Sequence, residues 1–407
     1  MLKYKEIKQL GKVITGKTPP TEDESNFGGS IPFITPSDIK SFNEHYIVDT
    51  ERTISESGSR YVSKNLLPND SICFVCIGST IGKMCMTGTP SYTNQQLNSI
   101  IPFANVDNHY LFYLLRYFKG YFQLLGGGTG SGKGIVKKST FEKSKIPYDD
   151  NIDNQKKIAS ILSAYDSLIE NNNKRIKLLE QIAENLYKEW FVRFRFPGYE
   201  TAEFEGGVPK GWKHKPLGEI ASFERGLSYS SEEIDCGDGL NLVNLKNIEA
   251  FGGYRRDGLK HYNGKYKTSQ IVKKGDLVMG VTDMTQDRRT VGAVAMIPNI
   301  PGTSVISADL VKIVSKQSNL FLYCLCRFGY YSIFFSQFAN GANVLHLKPN
   351  TLLSKKVLIP SNTLITMFVE KVQPNIDCID NLYLQNDLLT HQRDLLLPRL
   401  MSGKLSI

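Results

Sequence analysis

Apolar residues fall into two textures that alternate along the chain. From Asn154 to about Trp190 there is neither Pro nor Gly, and Ile169, Asn172, Ile176, Leu179, Ala183, Leu186 and Trp190 recur at steps of three and four. Such steps keep one stripe on one side of an α-helix and predict a heptad seam. Roughly 37 residues at 1.5 Å each give a helix of about 55 Å, longer than one small domain needs. A second stripe, from about Leu364 to Leu400, passes through Phe368, Val372, Ile376, Ile379, Leu382, Leu389 and Leu396. Pro374 lies inside it and is expected to kink the helix or delay its start, because proline lacks the N–H that an interior turn uses. Two narrow stripes in one chain favour an antiparallel intrachain coiled coil with Asn172 fixing register, over each helix packing on its own domain.

Ahead of each stripe the texture changes to short β-rich runs, Gly/Pro/Asn/Asp turns and one helical segment near the end, the pattern of a compact α+β domain. The predicted segments are a domain at 1–150, a long helix at 151–197, a second domain at 198–362 and a second long helix at 363–407.

The second half repeats the first. "LGKVITG" from Leu10 returns as "LGEIASFERG" from Leu217, and "YLLRYF" from Tyr113 returns as "YCLCRF" from Tyr323. "YVSKNLLPNDSICFVCIGSTIGK" from Tyr61 returns from Tyr266, with Asp70 answering Asp276 and Gly82 answering Gly292. "KSKIP" ending at Pro147 returns as "KKVLIP" ending at Pro360. Order is kept and the offset drifts by only a few residues, so the chain is a duplication.

Composition narrows the class. With 407 residues, 41% hydrophobic and 22% charged, the chain is expected to be a soluble protein of two or three domains. A net charge of +9 fits an anionic partner such as nucleic acid. "MLKYKEIKQL" has no signal-peptide core, no apolar stretch is long enough for a membrane span, and seven cysteines lack framework spacing, so the expected compartment is the cytoplasm.

Candidate chemistry is sparse. "GGGTGSGKG", Gly126 to Gly134, places Gly127, Gly132 and Lys133 as in a phosphate-binding loop, but Gly134 stands where the metal-holding hydroxyl belongs. A helical pattern precedes it where a buried strand is required. Cys73, Cys76 and Cys85 invite a zinc test, yet a second ligand pair is absent and they sit among strand formers, which favours core thiols. Methyltransferase motifs, clustered carboxylates and nucleophile elbows are missing from both copies.

Binding residues are more abundant. "TNQQ" supplies Asn94, Gln95 and Gln96, whose amides can pair adenine edges. The loop with Thr129, Ser131, Lys133, Lys137 and Lys138 answers "NGANVLHLKPN", which carries Asn343, His346 and Lys348. "YRRDGLKHYNGKYK" adds Arg255, Arg256, Lys260, Lys265 and Lys267, and "TQDRR" adds Arg288 and Arg289; Lys17 and Lys83 complete the set. Singly, each basic residue reads as a solvated surface charge. Repeated at matching places, they favour a duplex backbone with side chains reaching into grooves.

These residues, with "ENLYKEWFVRFRFPG" at Glu184 to Gly198 and "QRDLLLPRLMSGKL" at Gln392 to Leu405, give a chain that resembles the DNA-specificity subunit of Type I restriction-modification systems over essentially its whole length. The resemblance implies that each domain reads one half of a split double-stranded DNA site. It implies that the helix pair sets the gap and docks two modification subunits, which bring S-adenosylmethionine and methylate adenines flipped from the duplex. It also implies motor-nuclease subunits, with ATP and Mg²⁺ on those partners and no cofactor or catalysis in this chain. The competing readings are an ATPase using Lys133 and a non-specific nucleic-acid scaffold built on coiled coils.

Overall fold

The computed structural model describes residues 3–40, 44–127, 134–235, 237 and 239–405. The chain divides into two compact units, Met1–Asn171 with Gln385–Ile407 and Asn172–Leu384. Both are mixed α and β.

In the first unit, strands β1 (Lys3–Glu6), β2 (Gly11–Thr15), β3 (Tyr46–Ile47), β4 (Ile72–Val75), β5 (Met84–Thr87) and β6 (Leu97–Pro102) precede helices α1 (Asn108–Tyr117), α2 (Lys119–Gly127) and α3 (Lys138–Lys143). The main sheet has the order β2-β6-β4-β5-β3, antiparallel except for β3. β4 is buried on both faces. Ile72 and Phe74 enter the cluster that contains the α1 side chains, while Cys73 and Val75 enter another with Ile34, Ile39 and Leu97. The two-residue period of a strand thus accounts for a run that is apolar throughout. β7 (Lys145–Tyr148) returns antiparallel to β1, and α4 (Ile152–Tyr187) follows. Fully buried Gln155 ties its start to the sheet: its amide donates to Tyr148 Oη at 2.6 Å and the Asp149 carbonyl at 2.7 Å, and its oxygen accepts from Asp107 N at 2.9 Å.

The second unit repeats this plan with β8 (Lys213–Pro216), β9 (Ala221–Arg225), β10 (Leu277–Gly280), β11 (Thr282–Asp283), β12 (Val294–Met296), β13 (Leu310–Ser315), α5 (Asn319–Phe328), α6 (Tyr331–Ser336), β14 (Leu345–His346), β15 (Lys356–Ile359) and α7 (Asn362–Met401). The order β9-β13-β10-β12 reproduces β2-β6-β4-β5, and β15 pairs with β8 as β7 does with β1. Leu277 and Met279 enter one cluster and Val278 the other, repeating the two-faced burial of β4.

Backbone hydrogen bonds fix the correspondence and correct the letter-by-letter alignment. Ile7 N donates to the Ser144 carbonyl as Leu217 N does to that of Lys355, so Leu217 answers Ile7, not Leu10. Asp70 N donates to the Thr87 carbonyl as Gly275 N does to that of Ile297. Asp70 and Gly275 share the turn, with φ of 60° and 84°; Asp276 is one residue out of register. Gly82 and Gly292 do match, at φ of 89° and 77°. Asp107 caps α1 and Ser318 caps α5, which sets Arg116 opposite Arg327 and moves the expected Tyr113–Tyr323 pairing by one. Gly16 and Gly226 also match, each N–H donating to the carbonyl of an equivalent leucine, Leu97 or Leu310. A Cβ on Gly16 would lie 2.1 Å from the Asn94 carbonyl oxygen, and one on Gly226 2.0 Å from that of Ser307.

The long helices pack against each other and against the sheet domains, so the two expected arrangements coexist. In the first unit, Ile158, Ala159 and Leu162 of α4 share a core with Leu397, Leu400 and Met401 of α7. In the second, Ile176 clusters with Ile379 and Leu382, and Phe191 and Trp190 lie 5.0 and 6.0 Å from Phe368, ring centre to ring centre. Positions rise along α4 as they fall along α7, so the pair is antiparallel. A single π turn at Lys188–Val192 buries the adjacent residues Trp190 and Phe191 together.

Along α4, Asn172, Ile176 and Ala183 are buried and Ile169, Leu179 and Leu186 half-buried. Along α7, Val372, Ile379 and Leu382 are buried and Ile376 half-buried. Beyond Leu382 the expected stripe departs from the observed one. Leu389 and Leu396 are only half-buried, and the buried line passes through Asn386, Arg393, Leu397 and Leu400. Pro374 neither delays the start nor interrupts the helix, which runs unbroken from Asn362. Its ring faces outward, so the lost N–H falls on the exposed side.

Candidate nucleic-acid interface

In the first unit, main-chain bonds gather several expected residues at one edge of the sheet. Lys17 N donates to the Thr93 carbonyl, Cys76 N to that of Gln96, Val136 N to that of Cys76 and Gly78 N to that of Gly134. This chain of contacts joins the Lys17 turn, "TNQQ", the Gly78–Thr80 turn and the segment leading to Lys137 and Lys138. Lys17 and Lys137 are exposed, and Lys138 makes a 3.6 Å surface pair with Glu142. Gln95 is exposed and accepts from Thr18 Oγ1 at 2.7 Å. Asn94 and Gln96 bond each other, Nδ2 to Oε1 at 3.2 Å, which shapes the turn before either reaches a ligand. Lys83 turns inward, its Nζ donating to the Ile39 carbonyl at 3.0 Å and that of Lys40 at 3.3 Å. Thr129, Ser131 and Lys133 lie outside the described residues; of their loop, Gly126 and Gly127 end α2, so a helix and not a strand precedes it.

The second unit assembles the matching edge. Val281 N donates to the Asp309 carbonyl and Leu347 N to that of Val281, as Cys76 and Val136 do. β11 pairs with β14, Thr282 opposite His346, and Gln286 Nε2 donates to the Ala342 carbonyl at 2.8 Å. The "TQDRR" loop and the hairpin carrying Asn343 and His346 are therefore neighbours. Arg289, Asn343, His346 and Lys348 are exposed. Arg288 is half-buried at φ 54°, its Nη1 donating to the Ser336 carbonyl at 3.0 Å.

The "YRRDGLKHYNGKYK" residues divide. Lys265 and Lys267 are exposed, whereas Arg255 Nε donates to the Lys246 carbonyl at 3.1 Å. Arg256 lies 4.5 Å over the Tyr383 ring and 3.6 Å from Asp380 Oδ1, facing α7. Lys260 Nζ donates to Tyr229 Oη at 3.2 Å. Cations that close carbonyls and cover rings are indistinguishable in sequence from cations that meet phosphate.

Sequence reading missed a polar network where the first sheet domain meets α4. Tyr46 Oη donates to Asp70 Oδ1 at 2.7 Å and lies 3.3 Å from His109 Nε2. His45 Nδ1 lies 3.6 Å from Glu170 Oε1 and 4.0 Å from Asp166 Oδ2. Burial lowers the His45 pKa to about 4, against the pull of Asp166, so the ring is neutral at pH 7. Tyr113 Oη donates to Asp166 Oδ2 at 2.6 Å, and Arg116 Nη1 stands 3.6 Å from the same carboxylate. The second unit answers with Arg327 Nη1, which donates to Glu180 Oε1 at 3.2 Å. Each sheet domain thus meets α4 through an arginine at the same place in its helix.

Nothing in the cysteine cluster suggests a metal. Cys73 and Cys85 face each other across β4 and β5, and the Cys76 thiol is pushed up to about 12 by burial. Among the described residues no group of three His, Cys, Asp or Glu is placed to hold a metal ion, and no helix is long and apolar enough to cross a membrane.

Both copies of the α+β head carry polar and basic side chains at the same edge, and both are joined to long helices. The family model for the Type I restriction modification DNA specificity domain matches residues 2–181. The chain is 31% identical to the Type I restriction enzyme MjaIX specificity subunit of Methanocaldococcus jannaschii, over 99% of this chain and 93% of that protein. It is 37% identical to the HindI specificity subunit of Haemophilus influenzae over 35% of this chain and 30% of that one. The Type I system S subunit from M. genitalium shares the fold at a TM-score of 0.58, with 15% identity, covering 98% of this chain and 96% of that one. The chain belongs to the specificity subunits of Type I restriction-modification systems.

Proposed function

We propose that this chain is the non-catalytic recognition subunit of a methyltransferase/endonuclease assembly and that it reads a bipartite site on double-stranded DNA. The observation that carries the reading is that both heads present exposed polar and basic side chains at the same edge: Lys17, Gln95 and Lys137 in one head, and Arg289, His346 and Lys348 in the other, with Lys137 and Lys348 at equivalent positions. Exposed cations meet phosphates, and amide and guanidinium groups reach base edges. Residues 1–150 and 198–362 act as the two recognition domains. The long helices set the gap between half-sites and, with adjoining head surfaces, dock two modification subunits. Those partners supply S-adenosylmethionine, and motor-nuclease partners supply ATP and Mg²⁺ chemistry, in the cytoplasm.

The test is methylome sequencing of cells expressing the chain with its modification subunit, compared with the modification subunit alone. One split N6-methyladenine motif appearing only with the chain is the expected result. Assembly without any new motif would favour a non-specific scaffold.

A further inference from the structure

The two heads differ at the end of their central strand. Equivalent hydrogen bonds anchor both sides of this connection: Cys76 and Gly82 in the first head match Val281 and Gly292 in the second. Between these anchors the first head has Ile77–Ile81, a tight turn, whereas the second has the longer stretch Thr282–Val291.

The longer connection is braced at its neck. The Asp283 carboxylate, in a residue only 3% exposed, accepts from Thr285 N and Oγ1, each at 2.9 Å, from Thr290 N at 2.7 Å and from Val291 N at 3.4 Å. Burial alone would raise its pKa, but the hydrogen bonds from Thr290 and Thr285 prevail and hold it below the usual carboxylate range. The Thr290 hydroxyl donates to the Thr282 carbonyl at 3.1 Å, closing the neck a second time. Gln286 ties the loop to the neighbouring hairpin, and the Arg289 carbonyl accepts from Phe251 N at 2.7 Å.

Met284 is 72% exposed on a loop fixed at both ends. Arg289 is exposed and paired at 2.9 Å with Asp287, itself exposed; such a surface pair is weak and exchanges readily for phosphate or a base edge. A buried carboxylate spent on shaping an exposed loop is accounted for by a ligand that needs that loop in one geometry.

We propose that the Asp283-braced loop, Met284–Arg289, is the base-reading element of the second head. Met284 makes the apolar contact in the groove and Arg289 the guanidinium contact, with His346 opposite Thr282 on the paired strand. The inference rests on the proposal that the heads read DNA. It adds that half of the specificity resides in a connection that the first head keeps only as the short turn Ile77–Ile81.

The test uses Met284→Ala, Arg289→Gln and an exchange of Met284–Arg289 for a short Gly-Ser turn. Each is expressed with the modification subunit and compared with the unmodified chain by methylome sequencing and by binding to a duplex carrying the unmodified chain's motif. The expected result is relaxed or altered bases in one half-site only, with roughly ten-fold weaker binding to the original duplex. If the unmodified chain yields a split motif and all three variants keep both halves and the affinity, the loop is not the reader although the head still is. Changes in both halves would also overturn the assignment. If the unmodified chain yields no motif, the DNA reading beneath it fails. Co-purification with the modification subunit and an unchanged melting temperature exclude a folding defect in the point variants.

Discussion

Arg393 and Asp166 stand 227 positions apart and meet as a buried ion pair, Nη1 donating to Oδ1, with side chains 1% and 3% exposed. Tyr113 and Arg116 meet the same carboxylate from α1, and Asp394 accepts from Arg393 Nε at 3.0 Å. Removing one partner of such a pair leaves a charge buried without compensation, which costs about 3–5 kcal/mol. Arg393→Met is expected to destabilise the first unit by up to that amount, since Arg116 and Tyr113 still meet Asp166, and Arg393→Met with Asp166→Leu to lose more, because the double variant takes the same carboxylate from buried Arg116. Urea unfolding followed by hydrogen exchange at α1 checks both; an equal loss in single and double variants would show that Arg116 does not rely on that carboxylate.

Acid should act on the same region. His45 titrates near 4 in the folded chain and near 6.5 when unfolded. Below 6.5 the unfolded state takes up a proton that the folded state refuses, so stability falls as pH drops from 6.5 towards 4. The full effect is roughly 3 kcal/mol. Groups facing the ring are Asp166 and Glu170 on α4, His109 and Arg116 on α1, and Arg393 on α7. His45→Phe is expected to flatten the pH dependence of the midpoint across that window, and a slope unchanged from the parent would refute the assignment.

Gly16→Ala drives a methyl group into the backbone carbonyls of Asn94 and Thr93, and Gly226→Ala into those of Ser307 and Ile306. Each should cost on the order of 2–4 kcal/mol, the first in the first unit and the second in the second. Differential hydrogen exchange distinguishes the two units, and equal loosening of both by either variant would contradict their separate cores.

Much of this was legible in the sequence, and the failures have physical causes. The duplication was readable because turns need particular residues: Gly82 and Gly292 hold positive φ in both copies. It slipped by a residue where two residue types serve one turn, as with Asp70 and Gly275, or where a helix buried without a break from Tyr110 to Arg116, as α1 is, gives little polar face to count from. The apolar part of the seam was readable from Ile169 to Trp190. Its polar part, through Asp166 and Arg393, was not, because a period search scores a buried ion pair as solvent. The edge residues were legible only as a set; Lys83, Arg256 and Lys260 bond within the protein, and charge alone does not distinguish that use from phosphate binding.

If the helix pair sets the gap, inserting one heptad in each helix should lengthen it while preserving both half-sites. In the second helix the insertion belongs near Ile379, since Ile376, Ile379 and Leu382 cluster with Ile176 and Leu179. Seven residues add about 10 Å, close to three base pairs at 3.4 Å each. Methylome sequencing reads the gap directly, and an unchanged one would refute the ruler.

The first unit is discontinuous: Ile158, Ala159 and Leu162 need Leu397, Leu400 and Met401 to complete their cluster. During translation, Asn172–Leu384 is made before those last residues emerge. The second head therefore has its whole sequence available for folding while the first still shows an open apolar face to the ribosome exit and to chaperones. The domain begun first is the one finished last, and a stalled or truncated chain leaves it unclosed.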